Sequence, residues 1–129
     1  MAGAPDGFRT VSDALRTLGH PHAPVYLEHA VRTSQEAADL LQVQVGQIAK
    51  SVIFRRLSDD AVVLVVASGD RRVDEHKVAA RVGAVGRADA SFVKARTGFS
   101  IGGVAPIAHA TPAELVAITS APVADVVQA

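Results

Sequence analysis

The run AVVLVVA, residues 61–67, constrains the fold more than any other stretch of the chain. Side chains of a strand alternate between faces, so a strand drawn from this run is apolar on both. Such a strand needs cover from two sides, which points to a central strand with helices packed on its sheet. QIAKSVIFRR, residues 47–56, also reads as a strand, and the intervening LSDD suits a turn, so the two form a predicted hairpin. Within the first strand, Lys50 faces the same way as Ile48, Val52 and Phe54. Two readings of that ammonium group are open. Either it snorkels to solvent from a strand end, or it lines a pocket and meets a phosphate, a carboxylate or a developing oxyanion.

Helical spacing supplies the covering layers. Val11, Ala14, Leu15 and Leu18 share one face of a predicted helix that Gly19 can end. VYLEH reads as a short strand ending near His29, and Thr33 with Glu36 has the capping-box spacing, opening a helix to about Leu41. Further helices are predicted in RRVDEHKVAARVG, closed by Gly83, and in ADASFVKARTG, closed by Gly98. FSIGGVAPIAH reads as a strand-like start and a glycine loop. In TPAELVAITSAP, Thr111 as N-cap, Pro112 at the first helical position and Glu114 at the box position predict a final helix. The expected architecture is α/β: one domain over residues 1–129, with a central mixed, mostly antiparallel sheet and surrounding helices.

Composition narrows the function. Hydrophobic residues make up 49% of the 129 but aromatics only 4%, so Val, Ala, Leu and Ile must build the core. The absence of cysteine removes disulfides, thiolate nucleophiles and Cys-ligated zinc. His20 and His22 have no evident third partner, so neither a metal nor any other cofactor is expected. No apolar run reaches the roughly 18–20 residues of a membrane span, and no basic-then-apolar leader opens the chain. A cytoplasmic protein without a membrane partner is expected. Thirteen basic and thirteen acidic residues argue against a protein that coats DNA or other nucleic acid non-specifically. The charge is uneven, however: residues 46–100 hold ten basic and six acidic groups. A surface facing an anionic partner and a solvated mixed-charge surface both fit.

GGVAP, residues 102–106, would let a ligand approach the backbone, with Pro106 stiffening the exit. Alone it is a weak signal. Taken with the lysine strand, VQVGQIAKSVIFRR, VASGDRRVDEHKVAARVG and ADASFVKARTGFSIGGVAPIAH resemble, in order, the bacterial YbaK/ProX-type aminoacyl-tRNA deacylases. These are free-standing relatives of the editing domain of bacterial prolyl-tRNA synthetases. The resemblance runs from about Tyr26 to Val126. It implies hydrolysis of the ester joining a wrong, small amino acid to the tRNA 3′ end, by water rather than a protein nucleophile.

It also implies roles for particular residues. Lys50, Gly102 and Gly103 would be the catalytic set, with backbone donors near Gly103 meeting the oxyanion. Ile48, Val52, Val104, Ala105 and Pro106 would shape the substrate site. His29 and Thr33 would line it as well, although a solvent-facing His29 fits equally. His109 reads as a proton-transfer aid or as a plain loop residue. The tRNA 3′ end is the implied partner, with an aminoacyl-tRNA synthetase as an optional second. Arg71, Arg72, Lys77, Arg81, Arg87, Lys94 and Arg96 are candidates for its acceptor stem. The family normally continues through a further strand pair before its last helix, so a segment near 109–111 reads as missing here. A non-catalytic module for the tRNA end and a small-molecule esterase remain as alternatives.

Overall fold

A computed structural model describes residues 6–27 and 31–111, and the backbone of residues 114–118. In chain order the elements are α1 (Asp6–Thr17), α2 (Ser34–Leu41), a 3-10 turn (Val45–Gln47), β1 (Ala49–Arg56), β2 (Val62–Ser68), α3 (Glu75–Val82), β3 (Val85–Arg87), α4 (Ala90–Thr97) and β4 (Glu114–Ile118). The strands form one sheet in the order β3-β1-β2-β4. β1 runs antiparallel to both β2 and β3, and β4 joins β2 in parallel, so the sheet is mixed and mostly antiparallel, as the sequence implies.

The hairpin occupies the predicted segments, with Lys50 opposite Ala67, Val52 opposite Val65 and Phe54 opposite Val63. Every residue from Val62 to Ala67 is buried. On the face that β1 shares with Lys50, Val63 and Val65 meet Val78 of α3 and Val85 of β3, and Val52, Phe54, Val73, Ala79 and Val82 pack around them. The valine-rich, aromatic-poor composition is thus the chemistry of this sheet–helix seam. At the hairpin turn the Asp59 carboxylate accepts from the Arg56 guanidinium at 2.9 and 3.0 Å and from the Ala61 N–H at 3.1 Å.

Side-chain caps fix where the helices start. Thr33 Oγ1 accepts from the Glu36 N–H at 3.1 Å, while the Glu36 carboxylate reaches back to the N–H of Arg32 rather than Thr33. The predicted box is therefore closed one residue early. Asp74 caps α3 by accepting from the N–H groups of His76 and Lys77, and Asp89 caps α4 by accepting from that of Phe92.

Three local expectations need correction or narrowing. The final helix predicted from Thr111 is a strand, β4, pairing Glu114 with Val63 and Ile118 with Val66. The capping signals there are outweighed by β-branched residues and by the open edge of β2, whose backbone groups need partners. Residues 99–101, expected to be strand-like, instead leave α4 in a turn. Of the predicted VYLEH strand, Val25–Leu27 are irregular and His29 lies outside the described residues.

Candidate functional site

The glycine loop is tied at both ends to the C-terminus of α4. Gly98 takes the left-handed cap at φ 83°, and the buried Thr97 hydroxyl donates to Val93 O at 2.7 Å while accepting from the Phe99 N–H at 3.1 Å. The N–H of Ala110 returns to Thr97 O at 3.0 Å and that of Thr111 to Arg96 O at 2.8 Å. Between these ties the chain turns at Gly102, whose φ of 84° favours glycine. The Gly103 N–H closes the turn on Ser100 O at 2.9 Å, so it is already engaged. The N–H groups of Val104 and Ala105 have no acceptor among the described residues, and Pro106 has no N–H to offer. Of the N–H groups beside Gly103 without an acceptor among the described residues, that of Gly102 precedes it and those of Val104 and Ala105 follow it.

Gly103, Val104 and Ala105 form one wall of an open cavity of about 770 Å³. Phe8 and Val11 of α1, Tyr26, Val31 and Phe99 make the rest largely apolar, with Asp6 and Lys94 as its charged members. Three of the chain's five aromatic residues, Phe8, Tyr26 and Phe99, meet there. Phe8 stands edge-on to Tyr26 at 5.5 Å. Gly7 lets α1 close on Phe99, since a Cβ at that position would lie 3.3 Å from the ring. Sequence reasoning missed these aromatic walls. Their scarcity was the available signal, because a chain with so few aromatics that gathers three at one place concentrates its contact surface there.

Lys50 sits elsewhere in the sheet. Val52 and Phe54 on its face are packed into the core, while Lys50 itself is half-buried at the end of that face. It has no hydrogen-bond or ion-pair partner among the described residues. Half-buried Ile48 precedes it, and Ile48 O accepts the Gly69 N–H at 2.6 Å. Gly69 in turn brings the start of α2 to this end of the sheet, since a Cβ at Gly69 would lie 2.7 Å from Ser34 Cβ. Thr33, the N-cap of α2, belongs to the same end. The predicted site residues thus fall into two groups: Thr33, Ile48 and Lys50 at the end of β1, and Gly103, Val104 and Ala105 on the cavity, which Lys50, Ile48 and Val52 do not line. Gly102 and Pro106 are exposed on the loop, and Val52 is a core residue rather than a pocket wall. Among the basic candidates, Lys94 is turned to Gly98 O at 3.0 Å and Arg96 lies over the Phe92 ring at 5.4 Å. His109 is used within the loop: its Nε2 lies 2.6 Å from Ala105 O.

Comparison with known proteins bears on the fold and the family. A crystal structure described as a candidate trans-editing enzyme for prolyl tRNA synthetase is 36% identical and superimposes with a TM-score of 0.79, over 88% of this chain and 72% of that one. The crystal structure of hypothetical protein APE2540 is 30% identical with a TM-score of 0.71, over 83% of this chain and 70% of that one. The uncharacterized protein YwhH of Bacillus subtilis (strain 168) is 38% identical over 85 residues, 64% of this chain. The match spans 54% of that curated relative's length. Residues 28–120 match the aminoacyl-tRNA editing domain. The chain belongs to the aminoacyl-tRNA editing domain family.

Proposed function

We propose that this protein hydrolyses mischarged aminoacyl-tRNA, releasing a small amino acid from the 3′-terminal adenosine. The observation that carries the reading is the tied loop, which leaves the N–H groups of Val104 and Ala105 without internal acceptors beside an apolar cavity. An aminoacyl ester is already activated, so the protein needs to position water and stabilise the oxyanion rather than supply a nucleophile. Water adds to the ester carbonyl, the two amides hold the oxyanion, and collapse expels the ribose hydroxyl and frees the amino acid. Lys50, charged and without a partner among the described residues, holds phosphate or the substrate end. No step calls for a metal or cofactor.

The test is amino acid release from alanyl-, cysteinyl- and seryl-tRNA by wild type and Lys50→Ala in parallel. Wild type is expected to exceed the spontaneous rate on at least one substrate, and the variant to lose about 100-fold, the scale of removing one charge-stabilising group. Full activity of Lys50→Ala would defeat its assigned role. Binding of tRNA without release would replace hydrolysis by a non-catalytic module, and hydrolysis of simple esters indifferent to tRNA would make the protein an esterase.

A further inference from the structure

We propose that His109 is a positioning residue, whose ring holds the glycine loop in the form that keeps the Val104 and Ala105 amides on the cavity wall. The proposal builds on the hydrolytic reading above. A carbonyl oxygen only accepts hydrogen bonds, so the 2.6 Å approach of His109 Nε2 to Ala105 O requires the proton on Nε2. In the neutral ring with its proton on Nε2, Nδ1 carries none, and Nδ1 is buried with no partner. The ring also stands edge-on to the buried Phe99 at 5.9 Å, and Phe99 lines the same cavity.

Two features of this placement are unfavourable in isolation. A buried ring nitrogen is left without a hydrogen bond, and Ala108 adopts a left-handed backbone at φ 66° to turn the ring back across the loop. Local strain of this kind persists where surrounding contacts impose it. The contact imposed here is specific. The turn bond at Gly103 and the ties at Ala110 and Thr111 hold the ends, and the His109 ring makes the one hydrogen bond found from Val104 to His109 among the described residues. Without it, the stretch carrying the two free amides and Pro106 would be fixed only at its limits.

Three measurements decide the role. Ring ¹⁵N NMR of wild type is expected to find His109 as the Nε2–H tautomer; the Nδ1–H tautomer would overturn the proposal, whatever any variant does. In His109→Leu, which retains bulk against Phe99, backbone order parameters at 103–105 should drop from about 0.85 to below about 0.6, with kcat down about 10-fold or more and KM little changed. His109→Gln, which can offer a side-chain N–H to Ala105 O, should recover part of both losses. Order parameters unchanged in His109→Leu would overturn the proposal, and if that variant fails to fold, the tautomer and His109→Gln remain decisive. Should wild type deacylate nothing, the hydrolytic reading falls, while tautomer and order parameters still decide what His109 does.

Discussion

Two adjacent glycines separate folding from function at the loop. Gly102 has a φ of 84°, yet an added Cβ there meets nothing within 4 Å. Gly102→Ala should therefore carry only the backbone penalty, about 1–2 kcal/mol, read as a fall of a few degrees in Tm. Gly103 has no positive φ, and its added Cβ would stand 3.6 Å from Ser100 O, an ordinary contact. Gly103→Ala should keep stability within about 0.5 kcal/mol. Because it puts a methyl group on the cavity wall, it should nevertheless slow deacylation about 10-fold or more, since small displacements of a reacting group are that costly. Undiminished deacylation by Gly103→Ala would take the loop out of the substrate's path. At this scale the sequence was partly legible. The strand period placed Lys50 on the Val52 and Phe54 face, but which amide stays free depends on the Gly103–Ser100 turn bond, and no residue type encodes that bond.

Elements crowd together at Gly69, the residue after β2. A Cβ there would lie 2.6 Å from Val45 O and 2.7 Å from Ser34 Cβ, and neither backbone nor a helix start gives way cheaply. Gly69→Ala should lose about 1–3 kcal/mol in urea unfolding, as overpacked sites do. Stability equal to wild type would mean that α2, the 3-10 turn and β2 do not converge as described. The β1–β2 hairpin carries a pH signature. The Arg56 guanidinium beside Asp59, with the Ala61 N–H, lowers its carboxyl from 3.8 to about 2. A depressed folded-state value contributes stability that is complete above the unfolded value and is lost as the carboxylate protonates. Asp59→Asn should therefore be less stable than wild type at pH 7, with the gap closing between about pH 4 and pH 2; a gap that holds constant to pH 2 would reject the Arg56 pairing as its cause. The ends of helices α3 and α4 could be read from Gly83 and Gly98 because their caps are local, and their starts at Asp74 and Asp89 are local caps of the same kind that sequence reasoning missed. β4 could not, since Thr111, Pro112 and Glu114 spell a helix start and only the edge of β2, some fifty residues earlier, makes the segment a strand.

Across the whole molecule, charge distinguishes the two ends of the hairpin. At the turn, Arg55 pairs with Asp60 at 2.8 Å and Arg56 with Asp59 at 2.9 Å, so the basic groups are met locally. At the other end, Lys50 lies opposite Ala67, and exposed Arg71 and Arg72 follow just beyond β2, with Asp70 bonded to the Ser68 hydroxyl at 2.8 Å. The end that gathers Thr33, Ile48 and Lys50 is therefore the one where a phosphate backbone would be drawn. Each phosphate contact steepens the salt dependence of binding by about one unit in log–log slope. The double variant Arg71→Ala/Arg72→Ala should thus flatten the slope for tRNA binding by about 2 and leave Tm unchanged, because both side chains are exposed. Arg87 is the control: it pairs with Phe54, four residues along β1 from Lys50 and so about 13 Å away. Arg87→Ala should bind tRNA with the wild-type slope. If it flattens the slope as much as the double variant does, the nucleic acid is attracted by overall basicity of the middle segment, and the Lys50 end is not its docking site.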